Sequence, residues 1–442
     1  MEEYQRQCAA QRETQHPIAC RTAGCAAHRL SVADHPDRYR RFGRTATGDP
    51  RYQCKGCKGT FSVGRPTRRQ KRSDKNGLVL RLLINGSPLS KISEITGLSY
   101  TDIYRKIDFI HERVRAFTVA REGDLSRVDW TTRGSRVATD SQSLTLNWPT
   151  KRERTPIVVQ HLCSAHARSG FILLSSLQFD PVPEMADIQA SMTAAGDFQK
   201  DRCFRQQGRL WSESEFQAHI AALKRNRAVK DTDLYQLPHS GALVRLDVLQ
   251  YAHAMLLRDA FIFYDGPLLF VIDRDPGLGP AFAHAFREEI RGGRAMIAQV
   301  AFHKGFSNDE RIKTVMVGRQ QLARETGKTL AELAALTDEE YAALVDQQVA
   351  THLVGYAFGG RQWFDWPYHT KSEPLKKVQF LTDDTTLTYS KKARLVRLAT
   401  LRSVDSYFHR VRSNLRFAAR PGISHGSDGR SWDRYYLYRP EL

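Results

Sequence analysis

The sequence predicts a multidomain α/β protein, and three observations lead to that prediction. Two close pairs of cysteines stand near the N-terminus, within residues 20–57. A segment with helical periodicity follows at 76–117. From residue 136 onward, short apolar runs typical of strands alternate with amphipathic stretches typical of helices. A chain of 442 residues is long enough for two to four domains.

The first predicted domain, 1–63, is a zinc ribbon. Its two cysteine pairs, spaced C-x4-C and C-x2-C, consist of Cys20, Cys25, Cys54 and Cys57. Two short pairs of thiolates suit one tetrahedral zinc ion, which would close a segment that has little apolar material for a core. His28 and His35 are substitute ligands if one cysteine is not used.

The second predicted domain, 64–118, begins with a basic linker. Lys and Arg number 67 against 48 Asp and Glu, and the resulting net charge of +19 indicates a polyanionic partner. Double-stranded DNA is the first candidate and an anionic membrane surface the second. The linker residues that can contact phosphates are Arg68, Arg69, Lys71 and Arg72.

Three helices are predicted between residues 76 and 117. Ser87 and Pro88 mark the start of the second helix, Gly97 its end, and Ser99 caps the third. A helix, a Thr-Gly-Leu-Ser turn and a second helix form a helix-turn-helix, whose last helix can enter the major groove. Its first turns would offer four side chains to bases or phosphates: Tyr100, Thr101, Tyr104 and Arg105.

The third predicted domain, 130–420, has the element order of an RNase H-like α/β domain. Its predicted strands are 136–140, 155–162, 170–179, 267–273 and 296–302, and its predicted helices include 246–257 and 282–291. Helical insertions are expected at about 184–245 and 305–390, either as extra DNA-binding or dimerisation elements or as additions without a role of their own. Residues 421–442 form a C-terminal tail.

Two of these strands are predicted to end in a carboxylate, at Asp140 and at Asp273. In an RNase H-like domain the two lie side by side, and a late helix supplies a third acid. Three such carboxylates would hold two ions of Mg²⁺ or Mn²⁺, which prefer hard oxygen ligands, for phosphodiester chemistry.

Asp405 is the favoured third acid, because it is the only carboxylate in the basic helix predicted over 395–416. Glu373 is the alternative, although Pro374 disfavours a helix there. The remaining rivals are Asp383, Asp384, Glu288 and Glu289.

Taken together, the four cysteines, the helix-turn-helix and the three acids resemble a bacterial insertion-sequence transposase of the DDE type. The motif at 52–61 is similar to the zinc ribbon of small insertion-element proteins, and the tail at 429–440 is similar to theirs. Asp405 followed by Arg412 is similar to their third-acid helix, although aspartate stands where glutamate is usual.

The resemblance implies an enzyme that binds element ends and target DNA, cleaves a strand and joins it, as a homodimer or larger assembly on DNA. Two other functions stay open: a domesticated, non-catalytic DNA-binding regulator, and a metal-dependent nuclease without joining activity. No apolar run approaches the ~18–20 residues of a membrane-spanning helix. We therefore expect a cytoplasmic, nucleoid-associated protein.

Overall fold

The computed structural model describes residues 18–32, 34–46, 48–62, 67, 70–146, 157–225, 236–238, 240–356, 358–360, 362–383, 386–415 and 418. The chain divides into two compact units, residues 1–83 with 87–121, and residues 84–86 with 122–442. Among the described residues, no helix combines the length and the apolar character needed to cross a membrane.

The first unit begins with a small antiparallel sheet of three strands: β1 (Tyr39–Arg44), β2 (Pro50–Cys54) and β3 (Thr60–Ser62). Tyr39 is buried against it, where its hydroxyl donates to Ala27 O at 2.9 Å and accepts from Cys20 N at 3.1 Å. The buried residues of this cluster are Cys20, Ala27, Tyr39 and Cys54. Half of this small core therefore consists of cysteines.

Three helices follow, as predicted: α1 (Asn76–Ile84), α2 (Leu89–Thr96) and α3 (Tyr100–Asp124). Gly97 ends α2 in the left-handed region at φ +67°. Ser99 Oγ accepts from Asp102 N at 3.1 Å, which caps α3. The second helix begins one residue later than predicted, since Pro88 stands before its first residue.

A buried lysine on α3 fixes the entry to these helices. Lys106 Nζ donates to Arg72 O and to Asn76 Oδ1, both at 2.8 Å, and to Lys71 O at 3.3 Å. Burial lowers the pKa of this ammonium, while Asp74 and Asp102 favour its charge. The end of the basic linker is therefore attached to the predicted recognition helix.

The second unit contains a seven-stranded mixed sheet in the order β11-β12-β10-β9-β4-β5-β6. The strands are β4 (Arg136–Leu146), β5 (Ile157–His166), β6 (Ile172–Leu177), β9 (Leu268–Asp273), β10 (Ala295–Ala301), β11 (Phe364–Asp365) and β12 (Lys377–Phe380). The pairs β4–β9 and β9–β10 are parallel, and the others are antiparallel. A separate antiparallel pair consists of β7 (Phe179–Asp180) and β8 (Ala242–Leu243).

The second unit contains the following described helices, several of which cover the two faces of the sheet. They are α4 (Trp130–Arg133), α5 (Met185–Ala194), α6 (Glu213–Arg225), α7 (Leu246–Asp259), α8 (Leu278–Ala285), α9 (Arg287–Arg291), α10 (Asn308–Thr326), α11 (Leu330–Ala335), α12 (Asp338–His352), α13 (Tyr389–Leu398) and α14 (Arg402–Asn414). Alternate residues of β9 face two cores, Phe270 packing with α7 and α8 and Val271 packing with α10 to α14.

Several element boundaries differ from the predictions. Strand β4 does not end at Asp140 but continues to Leu146, because its ladder with β5 runs on to the pair Leu146–Ile157. The helix predicted over 282–291 is divided at Phe286 into α8 and α9. The predicted insertion 305–390 supplies β11 and β12 to the sheet in addition to its helices.

The single helix predicted over 395–416 is also wrong, since α13 and α14 are separated by residues 399–401. A buried pair from the preceding loop bonds to the backbone at this break. Glu373 Oε1 accepts from Leu401 N at 2.7 Å, and Lys376 Nζ donates to Ala399 O at 2.9 Å. These two bonds replace helical ones, so the chain turns between the two helices.

Candidate functional site

The four paired cysteines come together in the first unit. All four Sγ atoms lie within 4.8 Å of one another. The distance is 3.4 Å between Cys20 and Cys57 and 3.7 Å between Cys25 and Cys54. Four sulfurs around one zinc at ~2.3 Å would stand about 3.8 Å apart. The cluster can therefore hold a metal ion such as zinc, and its four sulfurs would complete the coordination without His28 or His35.

The surroundings of the sulfurs favour thiolates on the open side of the cluster. Thr22 Oγ1 lies 3.4 Å from Cys57 Sγ, and hydrogen bonds with Thr22 and Gly59 lower the pKa of Cys57 to about 6. Burial raises the pKa of Cys20 to about 11. A Cβ on Gly59 would stand 3.3 Å from Cys57 Sγ, so glycine keeps that sulfur accessible.

The first turns of α3 present the side chains predicted to read DNA. Tyr100 and Tyr104 are 53% and 54% exposed, and Thr101 is exposed as well. Arg105 is exposed and stands 3.8 Å from Asp102, a contact worth little in water. Of the linker residues, Lys71 is exposed and Arg72 donates to Thr96 O at 3.3 Å, whereas Arg68 and Arg69 lie outside the described residues.

The parallel pairing of β4 and β9 brings the first two acids together. The last residue pair of this ladder is Thr139–Ile272, so Asp140 and Asp273 follow on neighbouring strands. Asp140 is only 3% exposed. The third favoured acid, Asp405, lies in the first turn of α14, which packs against β4 and β5.

Burial and mutual repulsion perturb these acids. Burial, followed by the charge of Asp273, raises the pKa of Asp140 well above its ordinary value, and Asp405 adds to the rise. Burial raises the pKa of Asp405 to about 6, with contributions from Glu373 and Asp273. The nearby cation Lys304 opposes both shifts. The charge of Asp273 therefore acts on both Asp140 and Asp405, in addition to the effect of burial.

Lys304, which was not among the predicted site residues, lies three residues beyond the end of β10. Its Nζ stands 3.4 Å from Asp273 Oδ2. The available signal was a basic residue just after a strand that pairs in parallel with β9. No periodic pattern distinguishes such a residue from an ordinary loop lysine.

Arg412 reaches the same region from α14, as expected from its spacing to Asp405. Its Nη1 donates to Gln142 Oε1 at 2.7 Å. The amide nitrogen of Gln142 lies 3.0 Å from Nδ1 of His161, whose pKa burial lowers to about 4. The neutral imidazole therefore helps to orient Gln142, which in turn holds Arg412 beside the acids.

The other candidate acids have different partners. Glu373 is buried and bonds to Thr400 Oγ1 at 2.6 Å and to Leu401 N, next to Lys376 at 3.7 Å. Asp383 pairs with Lys392 at 3.4 Å. Glu288 pairs with Arg287 at 3.0 Å and Glu289 with Arg258 at 3.5 Å, while Asp384 lies outside the described residues.

A cleft of about 1020 Å³ opens at the acids. Two of them, Asp140 and Asp405, line it together with five basic side chains, which are Lys304, Arg311, Arg402, His409 and Arg412. Apart from the cysteines, the described residues contain no group of three or more possible ligands whose atoms all lie within 4.8 Å. The donor chemistry suits a hard divalent cation, and such a cation would have to draw the carboxylates closer together or bind as a pair of ions.

Comparison with known proteins gives no identification, because no family model, no curated protein and no solved structure matches this chain.

The cysteine cluster leads to a first prediction, which concerns Cys54→Ser. We expect the variant to lose its bound metal and to lower the thermal stability of the first unit, because three thiolates leave a buried site open. Metal content by elemental analysis and thermal unfolding followed by circular dichroism would measure this. Cys203→Ser, which alters an exposed cysteine outside the cluster, is the matched control. Equal metal content in both variants would contradict the prediction.

A second prediction follows from the raised pKa of Asp405, which is about 6 when folded and ordinarily ~3.9. Between these values the folded chain keeps a proton that the unfolded chain has released, so stability falls as pH rises through this window. Asp405→Asn removes that cost, which is at most about 2–3 kcal/mol. Without divalent metal, the variant should melt a few degrees higher than wild type at pH 7 and show no gain near pH 4.

The control for this experiment is Asp265→Asn, since Asp265 is a fully exposed carboxylate before the start of β9. It should leave the melting temperature of the protein nearly unchanged at both pH values. A lower melting temperature for Asp405→Asn at pH 7 would refute the repulsion argument.

Proposed function

We propose that this protein is a DNA transposase of the DDE type, which binds element ends and catalyses metal-dependent strand cleavage and strand transfer. The observation that carries the proposal is that Asp140 and Asp405 line one cleft together with basic side chains, and that Asp273 follows on the strand next to Asp140 and raises the pKa of both acids. Perturbed carboxylates that repel one another in a cleft are typical of catalytic sites.

The sheet supports an RNase H-like identity for the second unit. In chain order its first five strands in the main sheet are β4, β5, β6, β9 and β10, and they lie in the order third, second, first, fourth, fifth. The first three are antiparallel, and the last two are parallel to the first. This is the arrangement expected of the RNase H-like domain, with the acids on its first and fourth strands.

A zinc ion in the cysteine cluster would have a structural role in the proposed protein. Mg²⁺ or Mn²⁺ at the acids would stabilise the attacking and leaving oxygens of the phosphodiester. The three carboxylates hold the hard oxygen donors for such ions. Arg412, which is oriented by Gln142, would bind a phosphate oxygen of the strand in the cleft.

DNA binding is the second part of the proposal. Its support is the exposed face at the start of α3, the attached basic linker and the net charge of +19. A transposase must hold two ends, so a dimer or larger assembly on DNA is part of the same proposal. A non-catalytic regulator could bind DNA without the buried acids, whose mutual repulsion costs folding free energy. We favour the enzyme for this reason.

The third prediction tests the chemistry. Replacing Asp140, Asp273 or Asp405 by Asn should reduce cleavage of terminal-repeat DNA in Mn²⁺ by ~10³-fold or more, because each removes a ligand needed in the transition state. DNA binding should be nearly unchanged. Denaturing gels of the cleaved and joined strands measure both steps. Products that are cleaved but never joined would indicate a nuclease.

Asp265→Asn is again the control and should retain wild-type cleavage. Glu373→Gln should act through stability, because Glu373 bonds to the break between α13 and α14. If Glu373→Gln were folded, stable and inactive while Asp405→Asn stayed active, the assignment of the third acid would be wrong.

The fourth prediction tests the recognition helix with Arg105→Gln. We expect weaker binding of duplex DNA and a salt dependence shallower by about one phosphate contact, because one counterion fewer is released. Fluorescence anisotropy over a series of salt concentrations measures both quantities. Arg121→Gln, near the other end of α3, removes the same charge and is the matched control. Equal affinities for the two variants would argue against the predicted docking.

A further inference from the structure

Lys304 is a cation that stands among the acids without being part of the proposed catalytic set. Its Nζ contacts Asp273 Oδ2 at 3.4 Å, while its side chain remains 60% exposed. Asp273 itself is 22% exposed. A single contact of this kind, open to water, contributes little binding energy. The ammonium can therefore leave the carboxylate at little cost.

The backbone around Lys304, in contrast, is fixed by Arg311 of α10. The guanidinium of Arg311 donates to Phe306 O at 3.0 Å, to Lys371 O at 2.9 Å and to Lys304 O at 3.4 Å. The loop after β10 is thereby tied to a second loop. The base of the lysine side chain stays at the cleft, and only its end is free to move.

The ammonium of Lys304 interacts electrostatically with all three acids. Burial opposes this charge, but Asp140, Asp273 and Asp405 outweigh burial and raise the pKa of the ammonium. The same ammonium lessens the rise in the pKa of Asp140 and of Asp405. One monovalent cation therefore offsets part of the repulsion at this centre, the same repulsion that a divalent ion would relieve.

We propose that Lys304 is a displaceable counter-ion of the acid centre, which a divalent metal expels and which then binds a backbone phosphate of the DNA in the cleft. The proposal rests on the proposed function for the identity of this anion. Arg311 is bonded to three backbone carbonyls and Arg412 to Gln142, so these cations are already held in place. Lys304 has the reach and the freedom to change partners.

The exchange has a thermodynamic consequence. Before DNA binds, a metal ion must compete with the ammonium for the carboxylates, which weakens metal binding. A phosphate in the cleft gives the ammonium another partner, which removes the competition. Metal and DNA must then each strengthen the binding of the other by the same factor.

The test measures Mn²⁺ binding to the full-length protein by isothermal titration calorimetry, with and without a short blunt-ended DNA duplex. We expect the duplex to tighten Mn²⁺ binding to wild type by about tenfold. Lys304→Met should bind Mn²⁺ about tenfold more tightly than wild type without DNA, and the duplex should tighten its binding by much less than the tenfold gain of wild type. Lys304→Arg, which keeps the charge, should behave more like wild type.

Lys313→Met is the matched control, because Lys313 is an exposed lysine on α10 outside the cleft. It should retain the wild-type affinity and the wild-type response to DNA. Inorganic phosphate replaces the duplex in a further arm and should give no tightening; tightening by free phosphate alone would overturn the assignment to the DNA backbone.

The proposal is overturned if Lys304→Met binds Mn²⁺ no more tightly than wild type without DNA, if it keeps the full response to DNA, or if wild type binds no Mn²⁺. These readouts do not depend on turnover. Failure of wild type to cleave or join DNA would instead count against the proposed function, while the DNA-free affinities would still decide the role of Lys304.

Discussion

The parallel pairing of β4 with β9 is the constraint on which the second unit depends. It makes Asp140 and Asp273 neighbours on two central strands, and because Asp140 is almost completely buried, water screens the charge between them only in part. The pair costs folding free energy, since burial and the charge of Asp273 both disfavour the ionised form of Asp140. The surrounding elements supply positive charge that partly balances the two carboxylates. One source is Lys304 in the loop after β10, and the other is the set of basic side chains that line the cleft.

The position of the third acid depends on a different buried pair. Glu373 and Lys376 bond to the backbone where α13 ends and α14 begins. A buried ion pair of this kind is weak evidence for stability, because both ions must be desolvated. Its clearer effect is geometric. Without the break, residues 389–414 would continue as one straight helix, and Asp405 could not occupy the first turn of a helix packed on β4 and β5.

The sequence could predict what local signals encode. The cysteine spacing, Gly97 and Ser99 each act within a few residues, and the structure confirms the cysteine cluster, the end of α2 and the cap of α3. The length of β4 and the break before α14 could not be predicted, because both depend on partners distant in the chain. Lys304 was missed for the same reason: its contact with Asp273 exists only after β9 and β10 have paired.

The two candidate metal sites differ in what a metal would do for the chain. In the first unit Cys20 and Cys54 make up half of the buried cluster beside the three-stranded sheet, so a metal there would contribute directly to the folding free energy of this part. In the second unit two large apolar clusters on either side of the sheet hold the fold together without any ion. A metal at the acids can therefore come and go without unfolding the domain. The domain can therefore stay folded while Lys304, and not a metal ion, balances part of the charge of the acids. The proposed movement of Lys304 from Asp273 to a DNA phosphate requires this.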